Sequence, residues 1–503
     1  MRYLRRFFVL LNLFLVSVSL VGQESGSGFV IEMTLDKVVE DARNQSLSSI
    51  IAKHKFLVSY WEFRTYKAQF LPSLSLKANL GEYNRSISAL RDPNTGEFHY
   101  VVDNYLQNSA NLVLSQNIPF TGGTVSLISS LSRLDQYTPN RNIVYNSQPI
   151  YLSYSQPLFT YNKLKWEKQI EPVKYEMAKR AYVEAIEDAV VSSVALFFQL
   201  LLANENLELA IRREENDRQL LQIAEERYKL GTLSRDELLQ ISHQLLNDDL
   251  SIRDCRMNVE MLMVRLKNFL GYNDNVIIVP KVPEFEGALV IDKEEFISRA
   301  EQSSSHLLQK KIERLEAEAA VAQAKSQRGI SVSLYAQFGM TQVGADITSA
   351  YRKPIDQEVV GLSITMPILD WGLGKGKVQV AKSQLDVINM TLEQQTQEWY
   401  QNLLMKVSRF NLMGHQCLTS KEADKIGKER YQTARNRFTN GTISITELNT
   451  AQDNMDNSSL QYLEKIGDFW VVYYEICRLS LYDYINKSDL IKDYDSILNN
   501  IGN

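Results

Sequence analysis

The stretch from Arg227 to Leu239 reads RYKLGTLSRDELL, and the stretch from Arg437 to Asn449 reads RFTNGTISITELN. In both, an aromatic residue lies three positions before a glycine, and a threonine, a serine and a glutamate follow that glycine at the same spacing. Glycine suits the end of one helix, and serine suits the N-cap of the next. Each stretch therefore predicts a tight reversal between two helices, used twice at an offset of 210 residues.

Two further pairs of segments show that most of the chain is repeated. SQPLFTYNK, which contains Pro157, aligns with TMPILDWG, which contains Pro367, again at an offset of 210. LPSLSLKANLG, which ends at Gly81, aligns with RGISVSLYAQFG, which ends at Gly339, at an offset of 258. Because the offsets differ, we expect an insertion of 48 residues between Gly81 and Pro157 in the first half.

The insertion itself predicts a β-hairpin. SANLVLSQNIPF (109–120) alternates along its length, TGG (121–123) follows, and TVSLISSL (124–131) resumes the alternation. Two alternating runs joined by a glycine-rich turn are typical of paired strands. We place this extra hairpin near residues 106–134.

Each half then predicts the same order of elements: helix, strand, loop, strand, long helix, tight turn and return helix. We assign residues 23–288 to the first repeat, 289–485 to the second and 486–503 to a C-terminal tail. Residues 163–229 contain no glycine and one proline, which at ~1.5 Å per residue predicts roughly 100 Å of helix. A matching run extends from about 377 to 440, and such helices exclude a single compact globule.

The apolar residues of these helices follow a coiled-coil spacing of 3.5 residues. In the second half they are Val378, Ala381, Leu385, Ile388, Leu392 and Trp399, followed on the return helix by Leu448, Ala451, Met455, Tyr462, Ile466, Phe469, Tyr473 and Ile476. The first half carries a broader stripe of small and β-branched residues between 178 and 194. That stripe suits a helix with neighbours on two sides, as in a ring of helices.

The N-terminus predicts export from the cytoplasm. Arg2, Arg5 and Arg6 precede an apolar run from Phe7 to Val21, which is the pattern of a signal peptide, and we assign it to residues 1–22. We find no later stretch approaching 18 apolar residues, so membrane insertion is expected through β-strands. A few strands cannot close a barrel alone, and an open sheet edge is not tolerated in lipid, so we expect symmetric oligomers.

At this point the residues resemble the TolC-type outer-membrane efflux family over nearly the whole chain. The paired hairpin tips and the paired strand-to-helix segments, SQPLF and TMPILDWG, carry the resemblance. It implies an α+β membrane protein, a homotrimer in which a transmembrane β-barrel is continued by a long periplasmic coiled-coil α-barrel. It further implies an outer-membrane location with a large periplasmic part. A periplasmic adaptor and a proton-driven or ATP-driven inner-membrane transporter are the implied partners.

The family builds its barrel from twelve strands, four from each subunit, whereas this sequence predicts six per chain. The extra hairpin either enlarges the barrel or folds outside it, and we favour the second arrangement.

The resemblance also assigns roles to individual residues. Glu447 matches an acid of the family's pore constriction, Thr450 replaces its second acid, and Glu237 is the first-half counterpart. The family's gate-locking arginine is replaced by Ile443, so other contacts must hold the closed state. The residues expected to form the adaptor-binding tips are Tyr228, Gly231, Thr232, Leu233, Ser234, Phe438, Gly441, Thr442, Ile443 and Ser444.

Aromatic residues near the predicted strand ends have two open interpretations. Phe159, Tyr161 and Trp371 suit a membrane-interface girdle, and core packing explains them nearly as well.

The sequence gives no indication of an enzyme or a cofactor. It contains no GxxxxGK[ST] and no GxSxG, its five histidines are scattered, and no metal site or nucleic-acid surface is indicated. The alternative to a channel is an exported coiled-coil scaffold or adhesin without a pore. The sequence does not separate drug, metal, peptide and protein cargo.

Overall fold

A computed structural model describes residues 29–91, 96–137, 141–273, 275–285, 287 and 289–490. The signal peptide assigned to residues 1–22 and the repeat boundary at 288 lie outside the described residues, as does the tail beyond 490.

The helices of the two halves match in length and position. The long helices are α3 (Lys163–Lys229) and α8 (Leu373–Thr439), of 67 residues each, and the return helices are α4 (Arg235–Leu270) and α9 (Ile445–Ser480), of 36 residues each. Every bound in the second half lies 210 residues after its counterpart. Helix α8 begins earlier than predicted because the Asp370 carboxylate accepts from the backbone amides of Gly372 and Gly374 and so caps its start.

The helices that precede the strands repeat at the other offset. In the first half they are α1 (Leu35–Asn44) and α2 (Leu47–Ala68), and in the second α5 (Lys293–Ser303) and α6 (Ser305–Arg328). Their first residues are 258 positions apart. A single turn of helix, α7 (Ile347–Ala350), lies within the second half.

Six strands form one antiparallel sheet. In order across the sheet they are β2 (Ser73–Arg91), β3 (Phe98–Ile118), β4 (Gly123–Gln136), β5 (Asn142–Leu158), β7 (Ser331–Gly344) and β8 (Ile355–Thr365). Among the described strands, β2 and β8 are the edges of this sheet. The remaining strands form two small sheets, in which β1 (Phe29–Met33) pairs in parallel with β6 (Val276–Pro280), and β9 (Tyr482–Asp483) pairs with β10 (Ser488–Asp489).

The predicted extra hairpin corresponds to β3 and β4, and both strands belong to the six-stranded sheet, which argues against our expectation that the hairpin folds outside the barrel. Both strands are registered against their neighbours over most of their length. Alternation within a strand does not reveal which strands will be its neighbours, so the sequence could not place the hairpin.

The two faces of the sheet differ in chemistry. Directly opposite residues on adjacent strands share a face, and successive residues alternate between faces. One cross-strand row is apolar over five strands and consists of Leu74, Leu114, Leu127, Leu152 and Phe338. The adjacent row, on the other face, is polar over the same strands and consists of Ser73, Ser115, Ser126, Ser153 and Gln337. The apolar row is solvent-exposed in the single chain.

The chain divides into two compact units, and each takes segments from both repeats. Among the described residues, the helical unit lies within 29–51, 185–292 and 406–478, and the sheet unit lies within 52–184, 293–405 and 479–490. The predicted repeats therefore describe the order of elements along the chain and not two separately folded bodies.

The core of the helical unit is aromatic. Phe410 stacks on Phe469 at 4.9 Å between ring centroids, and Phe285 meets Phe469 edge-on at 5.1 Å. Four of the coiled-coil positions predicted on α9 are buried in the helical unit: Leu448, Ile466, Tyr473 and Ile476.

In the sheet unit, α2 packs against the first part of α3 through aromatic rings. Phe63 and Tyr175 stack at 4.5 Å, and Phe56 and Tyr182 at 5.3 Å.

Our expectation that no stretch after the signal peptide approaches 18 apolar residues is wrong for α3. This helix contains an 18-residue window apolar enough to cross a membrane. More than half of that window is buried within the protein, as in a core helix.

Candidate functional site

The first hairpin tip joins α3 to α4 in the helical unit. Gly231 adopts φ +75, a left-handed conformation that glycine accepts at little cost. The Thr232 amide donates to the Arg227 carbonyl at 2.9 Å and closes the end of α3. Ser234 then opens α4 with a capping box, because its hydroxyl accepts from the Glu237 amide while the Glu237 carboxylate accepts from the Ser234 amide.

The second tip joins α8 to α9 with the same backbone. Gly441 adopts φ +73, and the Thr442 amide donates to the Arg437 carbonyl at 3.0 Å. The Ser444 hydroxyl accepts from the Glu447 amide at 3.3 Å and caps α9. The repeated motif therefore gives two equivalent turns, as predicted.

The two tip glutamates have different surroundings. The Ser234 amide, and after it the Ser234 hydroxyl, donates to the Glu237 carboxylate and lowers its pKa. Glu447 is exposed, and within the described part of the chain no residue donates to its carboxylate. Thr450, one turn further along α9, is also exposed, and its hydroxyl donates to the Thr446 carbonyl of its own helix. Of the two tip glutamates, Glu447 is thus the one available to face outside this chain.

An apolar cluster joins the two hairpins directly behind the tips. Its buried members are Leu220, Ala224, Ile241, Tyr431, Phe438, Ile445 and Leu448. Leu233 and Ile443, both predicted as tip residues, pack against this cluster and are partly buried. Ile443, which replaces the family's arginine, therefore contributes to packing between the hairpins.

The paired aromatic residues of the motif have opposite environments. Phe438 is 2% exposed, and the Arg227 guanidinium lies 5.8 Å from its ring centroid, whereas Tyr228 is 43% exposed. Phe438 supports the tip from within, so it is not available as a contact for a partner. The exposed tip residues are Tyr228, Gly231, Thr232, Ser234, Gly441, Thr442 and Ser444.

A buried polar cluster lies further along the same four helices. Arg213 on α3 donates to Asp456 at 2.6 Å and to Asp453 at 3.0 Å, both on α9. Asp217 on α3 and Asp248 on α4 are each 3% exposed and hydrogen-bond to one another. Burial, with the hydrogen bond and charge of Asp248, raises the pKa of Asp217 to about 7, although Arg213 opposes the shift.

Sequence reasoning missed this cluster, although a signal was present. Asp248 lies seven residues after the buried Ile241, at a position where the coiled-coil spacing calls for an apolar residue. Asp217 likewise precedes the buried Leu220 on α3. Charged residues in an apolar stripe are costly unless paired, so they indicate a buried contact between helices.

The predicted interface aromatics are exposed, which excludes core packing for two of them. Phe159 is 81% and Trp371 is 90% exposed, and Tyr161 is half-buried. Phe120, in the turn between β3 and β4, is 92% exposed and was not predicted. The strand register places the C-terminal ends of β3, β5 and β8 on the same side of the sheet. Phe120, Phe159 and Trp371 each follow one of these strand ends.

Comparison with known proteins agrees with this architecture. The family model for outer membrane efflux proteins matches residues 62–272 and 296–468. No curated protein matches the chain.

Among solved structures, the CmeC outer membrane channel of Campylobacter jejuni aligns with a TM-score of 0.63 and 16% identity, covering 93% of this chain and 88% of CmeC. The outer membrane protein VceC of Vibrio cholerae gives a TM-score of 0.62 and 13% identity, with 89% and 95% covered. CusC, whose structures describe transmembrane channel formation, gives a TM-score of 0.62 and 14% identity, with 92% and 95% covered. At these sequence identities, the similarity shows a shared fold.

Proposed function

The chain belongs to the outer membrane efflux protein family, and on this basis we propose that three copies assemble into an exit duct for efflux or secretion. The membership confirms the resemblance inferred from the hairpin tips and the strand-to-helix segments. The family is one of channels and not of enzymes, and it places the protein in the outer membrane with a large periplasmic part. We further propose that the chain forms a trimer and works with a periplasmic adaptor and an inner-membrane transporter.

The observation that carries the proposal is the sheet with one apolar face and two unpaired edges. Strands β2 and β8 are the edges of this sheet within the described residues, and the side chains of β8 are almost all exposed. A sheet cannot remain open in hydrocarbon, because each unsatisfied backbone amide or carbonyl costs several kcal/mol. Pairing the β8 edge of one copy with the β2 edge of the next removes every edge when three copies close.

We assign the constriction of the duct to Glu447. It is the exposed one of the two tip glutamates, and three copies around a three-fold axis would form a ring of negative charge that favours cations. Glu237 is the weaker candidate because its carboxylate is engaged by Ser234. Thr450 would contribute a neutral ring.

Docking of an adaptor is assigned to the exposed residues of both tips. The hydroxyls of Thr232 and Thr442 donate to the carbonyls of Arg227 and Arg437 and close their own helices, so the turns are formed within the chain itself. A preformed turn loses little conformational entropy on binding. The partner suited to such a rim is the helical hairpin of a periplasmic adaptor loaded by a proton-driven or ATP-driven transporter.

Purification and bilayer recording test the duct. We expect the protein to require detergent, to run as a heat-resistant trimer and to give stepwise single-channel currents. An exported scaffold or adhesin would give a defined oligomer without current. A monomer that is soluble without detergent would overturn the proposal.

A further inference from the structure

Strands β3 and β4 carry the same two-faced pattern as β2, β5 and β7. Leu114 on β3 and Leu127 on β4 are opposite each other, and both extend the apolar row from Leu74 on β2. Ser115 and Ser126 extend the polar row, and their hydroxyls lie 2.9 Å apart. A hairpin lying outside the membrane would have no reason to keep an apolar face in register with its neighbours.

The turn between β3 and β4 is fastened to the ends of neighbouring elements by side-chain amides. Gln156 near the end of β5 donates to the Thr121 carbonyl at 2.9 Å. Asn162, just before α3, donates to the Pro119 carbonyl at 3.1 Å.

The end of β3 is fastened as well. Gln116 on β3 donates to the Phe70 carbonyl at 2.7 Å, next to the end of α2. The hairpin is thus bound to the segments that lead from helix into strand and from strand into helix.

Close packing also fixes the hairpin in the sheet. A side chain at Gly123, the first residue of β4, would place its Cβ 3.0 Å from the Ser155 carbonyl oxygen on β5. The backbone of β4 therefore approaches β5 more closely than most residues allow, and glycine is needed at this position.

We propose that β3 and β4 are part of the membrane wall, so that three copies close a barrel of eighteen strands, six from each copy. This inference rests on the proposed trimer. An even number of antiparallel strands per copy leaves β8 antiparallel to β2 of the next copy, so closure needs no parallel pair. The apolar face contacts lipid, and the serine-rich face lines the lumen.

The added strands widen the passage through the membrane. Barrel diameter grows roughly linearly with strand number, so eighteen strands make a barrel about half as wide again as twelve at the same tilt.

Two neighbouring substitutions on β4 test the placement of the hairpin. Leu127→Arg puts a charge on the apolar face, and Ser126→Arg puts the same charge on the polar face one residue away. Because arginine on the lipid face of a barrel is strongly unfavourable, we expect Leu127→Arg to reduce membrane-inserted trimer by roughly tenfold or more. Ser126→Arg should leave trimer yield near that of the unchanged protein, and equal tolerance of both would overturn the inference.

Cryo-electron microscopy of the unchanged trimer in a lipid nanodisc gives the deciding count. Eighteen strands are expected. A trimer with twelve strands in the barrel wall and the β3–β4 hairpin outside the barrel would contradict this inference and leave the proposed duct intact. Absence of a trimer would overturn both.

Discussion

Arg213 Nη2 lies 2.6 Å from Asp456 Oδ2, and this hydrogen bond joins the long helix of the first hairpin to the return helix of the second. The sequence left open which contacts hold the closed state once Ile443 replaces the family's arginine. The Arg213 contact connects the two hairpins further from the tips than the apolar cluster and is a candidate for that role.

Arg213→Gln should loosen the two hairpins. The change leaves the buried Asp456 without its cation, and an unsatisfied buried acceptor costs about 1–3 kcal/mol, or more when it is charged. We expect a lower thermal midpoint for the trimer and a higher open probability in bilayer recordings.

Arg212→Gln is the matched control. Arg212 is exposed and pairs with Glu205 and Glu208 on its own helix, and such surface pairs contribute little. If both variants melt and conduct alike, Arg213 does not hold the hairpins together.

Stability should fall as pH rises towards neutrality because of Asp217. Its pKa is about 7 in the folded protein and about 3.9 in an unfolded chain, so the folded state binds its proton more tightly. The contribution is fully present below pH 4 and is lost as pH rises through about 7. The groups around Asp217 are Arg213 on its own helix, Asp248 on α4, Tyr431 on α8 and Asp453 on α9.

Asp217→Asn tests this dependence by thermal melting of the trimer between pH 5 and pH 8. We expect the variant to lose part of the decrease in melting temperature seen for the unchanged protein. Asp249→Asn alters an exposed carboxylate beside Asp248 that pairs with Arg253, and it should keep the full decrease. A parallel decrease in all three proteins would assign the effect to other groups.

Glu447→Gln should weaken cation preference. The change removes one negative charge per copy from the proposed constriction while keeping the length of the side chain. Reversal potentials in a salt gradient measure the effect, and we expect a shift towards zero.

Glu237→Gln provides the comparison. Glutamine also suits the third position of a capping box, so α4 should keep its start, and selectivity should change less. If selectivity is unchanged in Glu447→Gln, this residue does not line the pore.

Gly231→Leu should abolish transport while the trimer survives. A Cβ at this position meets no atom within 4 Å, so the added side chain enters open space at the tip. Its left-handed backbone adds a cost of roughly 1–2 kcal/mol. Efflux measured in cells that contain the adaptor and transporter should fall to the level without the channel.

Gly231→Asn is the control, because asparagine tolerates the left-handed conformation better. Transport should be largely kept. Loss of the trimer in Gly231→Leu would mean that the turn matters for folding and would remove the argument for docking.

Local signals in the sequence predicted the helices well. The absence of glycine between 163 and 229 and the Gly-x-x-Ser turns fixed both bounds of α3 and the starts of the return helices. These signals act through backbone conformation and capping, which depend on a few adjacent residues.

These local signals do not determine which distant segments of the chain contact each other. The position of β3 and β4 depends on pairing with β2 and β5, which alternation does not specify. The burial of Phe438 and the exposure of Tyr228 could not be told apart, because the motif gives both residues the same neighbours in sequence. The pairing of Asp217 with Asp248 depends on which helix faces meet.

The equal lengths of the corresponding helices constrain how this protein can change in size. A residue inserted in α3 alone would rotate every later position by about 100° and move its apolar stripe away from the other helices. Lengthening the duct therefore requires additions of whole heptads to α3, α4, α8 and α9 together. Natural variants of different reach should differ by seven residues, or a multiple of seven, in each of these four helices.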